Sequence, residues 1–150
     1  MIRVTFHILI LCMALLFLLS CSRSEDETER LLQTLFELQS QVEARESRQV
    51  LRFLDKGFIA QGRYRTFQLG QMMALQFRQN QKILLFLKNT EIDMRDPQAD
   101  VTVSAYVLGS DNIIPDRGQR YEVKMRWLKI NDQWKLSRLN GQRATGNGQQ

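Results

Sequence analysis

Tyr121-Glu122-Val123-Lys124-Met125-Arg126-Trp127, followed after Leu128-Lys129-Ile130 by Asn131-Asp132-Gln133-Trp134-Lys135-Leu136, alternates apolar and polar side chains on both sides of an Asn-Asp pair. Strict alternation places every second side chain on one face of a strand. Tyr121, Val123, Met125 and Trp127 therefore face a core, and Arg120, Glu122, Lys124 and Arg126 face solvent. Asn131-Asp132 turns the chain into the next strand and completes a hairpin. Upstream, Val101, Val103, Ala105 and Val107 alternate with Thr102, Ser104, Tyr106 and Leu108 in a second strand, and the stretch 109–118 reads as a loop. Before it, the run Ile83-Leu84-Leu85-Phe86-Leu87 continues through Ile92 and Met94 to a stop at Asp96-Pro97, its density of apolar side chains implying burial on both faces for part of its length. Four antiparallel strands are expected, counting Trp134–Leu139 as the last.

The period upstream is helical. Ser24-Glu25-Asp26-Glu27 has the spacing of a capping box, and Leu31, Leu35, Leu38 and Val42 recur on one face of a helix running to about Ala44. Ser47 is expected to cap a second helix carrying Val50, Leu51, Leu54 and Phe58, fraying at Gly57 and Gly62. A third spans about Phe67 to Arg78. Helices first, then a sheet, is an α+β layout.

This order, with Phe58 closing the second helix, the strand Ala99-Asp100-Val101-Thr102-Val103 and the two-tryptophan hairpin, resembles the nuclear transport factor 2-like (NTF2-like) superfamily and its SnoaL-like, cystatin-like members. The resemblance covers about Glu25 to Arg143. It implies a cone in which three helices pack on a strongly curved four-stranded sheet and enclose an apolar cavity. It also implies that an enzyme of this kind would place a carboxylate or histidine base in that cavity. Where isomerase-type members carry a basic aspartate, this chain reads Ala60-Gln61-Gly62-Arg63, and Asp55 nearby reads as a solvated helix residue.

The amino terminus resembles a bacterial lipoprotein signal peptide. Arg3 precedes an apolar run from Val4 to Leu19, too short to span a bilayer comfortably, and Leu18-Leu19-Ser20-Cys21 resembles a lipobox. The reading is a signal peptide over 1–20, a domain over 21–143 and a disordered tail over 144–150. Cys21 would carry lipid and anchor the protein in the membrane, and Ser22 after it suggests the outer membrane, with the inner membrane as the alternative. The first helix begins within a few residues of Cys21, so the domain would sit close to the bilayer. Cleavage removes Arg3, His7 and Cys12 from a chain of 150 residues with 21 Lys plus Arg and 16 Asp plus Glu, lowering the net charge from +5 to +4. The remaining chain has no histidine and one cysteine, which excludes a disulfide, His-based catalysis and nearly all zinc, copper or haem sites.

No metal, cofactor or catalytic residue is assigned. Tyr64, Met72, Met73, Phe86 and Tyr106 are the candidates for an apolar ligand pocket, against their ordinary use as core residues. Arg120, Lys124, Arg126 and Lys135 are candidates for a basic surface suited to lipid headgroups or an acidic envelope protein. Asp93, Arg95, Asp96 and Asp100 cluster at a strand end, where turn chemistry accounts for Asp96 and Asp100. The expectation is a non-enzymatic binding or interaction module of the periplasm, with a small apolar molecule or an envelope protein as partner. Homodimerisation through the sheet is implied by the resemblance, and nucleic acid is not expected. A SnoaL-like enzyme acting on a small hydrophobic molecule is the alternative, and a structural accessory docked on a larger envelope assembly is a third.

Overall fold

The computed structural model describes residues 25–110 and 117–144. Cys21, the segment 1–20, the Ser24 cap, the loop tip 111–116 and the tail beyond Ala144 lie outside the described residues. The chain divides into two compact units, Met1–Gln33 and Thr34–Gln150. In the first, residues 25–33 are helical, Leu31 is fully buried, and Arg30 pairs with the buried Glu27 at 3.4 Å.

The helix spans 25–43 and is labelled α1. It ends where Arg45 takes φ 60°, with Arg45 N–H donating to Val42 C=O and Glu46 N–H to Gln41 C=O, both at 3.0 Å. This is a Schellman termination with arginine where glycine is usual. The long side chain has a use: Arg45 Nη1 donates to Phe77 C=O and Asn80 C=O at the far end of a later helix.

Then follow α2 (Ser47–Arg52), β1 (Leu54–Ala60), α3 (Thr66–Gln79), β2 (Lys82–Arg95), β3 (Gln98–Ser110), β4 (Arg117–Ile130) and β5 (Gln133–Arg143). Glu46, not Ser47, stands at the N-cap of α2, and no side chain caps it. The expected second helix stops at Arg52. Leu54 to Phe58 belong instead to a strand that runs parallel to β5 and brings the sheet to five strands, in the order β1-β5-β4-β3-β2. Phe58 and Ala60 are its buried side chains, so the period there is two and not 3.6. Gly57 N–H donates to Asp55 Oδ2 at 2.9 Å, turning Asp55 toward its own backbone.

β1 answers a physical need. Without it, β5 would present an open edge, and open edges template misassembly. Leu136 N–H donates to Phe53 C=O at 2.7 Å and Gln61 N–H to Leu139 C=O at 2.8 Å. The opposite edge, β2, is met by α1 side chains: Gln39 Nε2 donates to Leu85 C=O at 2.6 Å, and Glu43 Oε1 accepts from Leu85 N–H at 2.8 Å. Edge position also corrects the expectation for Ile83–Leu87. Only Ile83 is buried, while Leu84 is half-buried and Phe86 exposed on the far face.

β2 to β5 form the antiparallel meander, and the expected hairpin turn between β4 and β5 has Asn131 at φ 49° and Asp132 at φ 60°. Trp127 lies opposite Ala99 and Leu136, fully buried, with Met125 also buried and Tyr121 and Val123 in the same row. A bulge opposite Arg126 and Trp127 inserts Ser137, so that Trp134 and Leu136 and then Leu139 all reach the inner face.

Candidate functional site

The inner face of the sheet and the helices of the second unit enclose a cavity of about 280 Å³. Its wall is apolar: Leu35, Leu38 and Val42 from α1, Leu69 and Met73 from α3, Leu85 and Leu87 from β2, and Val103, Ala105 and Val107 from β3. Each set follows from the pattern already described, since helical spacing and strand alternation point these residues at one another. Two polar side chains interrupt the wall, Gln39 and Tyr121. The Gln39 amide is bound to Leu85 C=O, and the Tyr121 hydroxyl donates to Gln119 Oε1.

Val42, Val107 and Tyr121 also line a wider cleft of about 670 Å³ between the end of α3 and the β2–β4 strands. Its other residues are Gln76, Phe77, Gln79, Asn80, Ile83, Gly109 and Gln119. Four carboxamides and a phenol thus surround the mouth of an apolar chamber, and among the described residues no charged side chain lines either space. Gly109 leaves room for the Asn80 amide: a Cβ there would lie 2.6 Å from Asn80 Oδ1, so that side chain would have to shift. Neutral amides both donate and accept hydrogen bonds. The arrangement therefore suits a ligand with an apolar body and an uncharged polar end.

Of the five pocket candidates, Met73 lines the cavity and the other four stand elsewhere. Met72, one residue along the helix and so about 100° around it, is exposed. Tyr64 pairs with Ala60 beside the β1 turn, with the Arg63 guanidinium 4.6 Å from its ring centre. Phe86 and Tyr106 are cross-strand neighbours on the outer face of the sheet, where Lys88 and Arg120 lie 5.6 and 5.8 Å from the Tyr106 ring centre.

The basic row is divided as well. Arg120 rests beside Tyr106, and Lys124 is exposed opposite Thr102 and Asn140. Arg126 is paired with Asp100, Nε to Oδ1 at 2.8 Å and Nη2 to Oδ2 at 3.3 Å. Lys135 lies across from Leu128 and donates to Arg52 C=O at 2.8 Å, so the residue facing Arg126 from β5 is Arg138. Asp93 pairs with Arg95. Among the described residues no group of three His, Cys, Asp or Glu side chains is placed to hold a metal ion.

The hydrogen-bonded Arg126 guanidinium holds the Asp100 carboxyl below its ordinary range, outweighing the opposing effect of partial burial. A depressed carboxyl pKa stabilises the fold above the unfolded value, and that stabilisation is lost as pH falls through the folded pKa. Because the pair is substantially solvated, Asp100→Asn is expected to cost less than about 1 kcal/mol near neutral pH. Urea titrations should show the gap between wild type and variant shrinking as pH is lowered below 3.8, the ordinary value for the group. A gap that widened on acidification would contradict the pairing.

No family model and no curated protein sequence matches the chain. Its backbone, in contrast, superposes on many solved structures. An NTF2-like protein with a cystatin-like fold from Novosphingobium aromaticivorans aligns over 87% of this chain and 90% of its own, with a TM-score of 0.69 at 8% identity. The fold is the NTF2-like, cystatin-like one. A second protein from that organism, provisionally named a scytalone dehydratase, aligns over 81% of this chain and 86% of its own with a TM-score of 0.68 at 10% identity. Bd1075 of Bdellovibrio bacteriovorus reaches a TM-score of 0.72 at 16% identity over 81% of this chain, which spans only 43% of the length of Bd1075. At these identities the likeness extends to the NTF2-like fold alone.

Proposed function

We propose that this NTF2-like domain is a non-enzymatic binding module that holds a small apolar molecule with an uncharged polar end. The observation that carries the reading is the apolar chamber opening onto a mouth of Gln76, Gln79, Asn80, Gln119 and Tyr121. A charged head would be desolvated there without a counter-charge, which is costly, whereas a hydroxyl or amide head finds partners. Proton abstraction from a bound molecule needs a base within hydrogen-bond reach, and among the described residues the lining supplies no carboxylate or imidazole. The dehydratase name of one fold neighbour keeps a SnoaL-like enzyme as the rival reading. The signal-like segment and Cys21 support a setting in the bacterial envelope, lipid-anchored and facing the periplasm.

The test is displacement of N-phenyl-1-naphthylamine, an apolar fluorophore, by three molecules sharing one alkyl chain: decanol, decanoate and decylammonium. Decanol is expected to displace the fluorophore at least about tenfold more effectively than either ion, a difference of about 1.4 kcal/mol. Because the described lining residues include no carboxylate or imidazole, fluorophore binding should be flat between about pH 5.5 and 7.5. Equal potency of the three heads would remove the neutral mouth from the reading. A steep pH dependence would bring back the enzyme.

A further inference from the structure

α3 carries a surface that the cavity does not explain. Its inner side lends Leu69, Met73, Gln76 and Phe77 to the chamber and cleft, yet none of its residues is buried to the degree of the core. On its outer side Phe67 is 72% exposed, Met72 47% and Leu75 46%. Single exposed apolar residues are ordinary, but three on one short helix are not. The polar residues among them are Gln68, Gln71 and Arg78. A solvated helix face is usually laced with carboxylates and lysines, and here the carboxylates are missing.

The absence extends well beyond the helix. From Lys56 to Thr90 the chain contains no Asp or Glu, while Lys56, Arg63, Arg65, Arg78, Lys82 and Lys88 fall inside the stretch. Arg63 and Arg65 precede the first turn of α3, and Arg78 and Lys82 bracket its end. The elements that pack on α3 supply little negative charge. α2 has none, Asp55 of β1 is bonded by Gly57 N–H, and Glu46 shares a shallow groove with Arg45 and Arg78. Glu43 at the end of α1 accepts from Leu85 N–H.

We propose that the outer face of α3 docks on an anionic lipid bilayer, with Phe67, Met72 and Leu75 entering the interface and the flanking arginines resting at the phosphates. Apolar side chains on one side of a helix and basic residues around it, with no like charge to repel, are the chemistry of an interfacial helix. Binding of this kind needs no span, and among the described residues no helix is long and apolar enough to cross a membrane. The inference stands on α3 and its charge pattern, independently of the cavity and of Cys21.

Phe67→Trp in the full chain reports on the face directly, because the native Trp127 and Trp134 are buried in the sheet. The probes are phosphatidylcholine vesicles with and without phosphatidylglycerol, brominated in the acyl chains. The tryptophan at 67 should be quenched several-fold more by the anionic vesicles than by the neutral ones. Changing Arg63, Arg65 and Arg78 together to glutamine should abolish the difference. Asn140→Trp, on the exposed outer face of β5, controls for attachment through the amino-terminal segment and should stay unquenched. No quenching at 67, equal quenching by neutral lipid, or equal quenching at 140 would each overturn the proposal. So would a lipid-independent blue shift at 67 that grows with protein concentration, since the face would then join two copies of the chain.

Discussion

Replacing Trp127 by alanine is expected to lower the unfolding free energy by about 3 to 5 kcal/mol, at the upper end of what one side chain contributes. The indole is fully buried, set between Ala99 on β3 and Leu136 on β5 at the point where the bulge at Ser137 re-aims the last strand. Ala99 is itself completely buried and too small to fill the space. Neither neighbour can collapse into the gap without shifting backbone, so the cavity term adds to the lost transfer energy. Trp127→Phe should retain much of the stability. Trp127 Nε1 has no hydrogen-bond partner among the described residues, and phenylalanine removes that donor along with part of the ring. Denaturant titration checks both variants. A loss below about 1 kcal/mol for the alanine variant would mean that Trp127 does not face the core, which would place the basic row Arg120, Lys124 and Arg126 inward at a prohibitive desolvation cost.

The elements legible in the sequence are those whose apolar pattern holds over most of their length. β3 and β4 alternate over most of their length, β5 alternates up to the bulge at Ser137, and the apolar residues between Phe67 and Arg78 mark α3, so each was readable from local pattern. β1 was not. Val50, Leu51, Leu54 and Phe58 are spaced as a helix would space them, and what makes Leu54–Ala60 a strand is pairing with Leu136, Arg138 and Leu139, more than seventy positions away. No local signal carries such a partner. The site divides on the same line. Tyr106 alternates with Ala105 and Val107, so its outward direction was present in the pattern, whereas the unbroken apolar run Ile83–Leu87 hides which way Phe86 points. Gln76, Asn80 and Gln119 went unnoticed because carboxamides are ordinary surface residues until a fold brings them around one opening.

Ala105→Phe is expected to weaken N-phenyl-1-naphthylamine binding more than about tenfold while leaving the protein folded. Ala105 projects inward from the middle of β3, between Leu87 on β2 and Tyr121 on β4, and its methyl group forms part of the cavity wall. A phenyl ring added there enters a space of about 280 Å³ that the native side chains leave open. Overpacking usually costs about 1 to 3 kcal/mol because neighbours must move, but here the ring meets a void, so the cost should fall at or below the low end of that range. Lost binding with retained stability is the signature of a filled chamber. A companion change on the other face of the same strand, Tyr106→Ala, removes the ring beside Lys88 and Arg120 and should leave the affinity unchanged. If the fluorophore instead ignores Ala105→Phe and loses affinity in Tyr106→Ala, it binds on the outer face of the sheet and the chamber is not the site. If both variants lose affinity with a matching loss of stability, the fold is failing and not the pocket. Circular dichroism melts run alongside each titration separate those outcomes, because a filled chamber predicts a melting curve close to that of the wild type even as binding disappears.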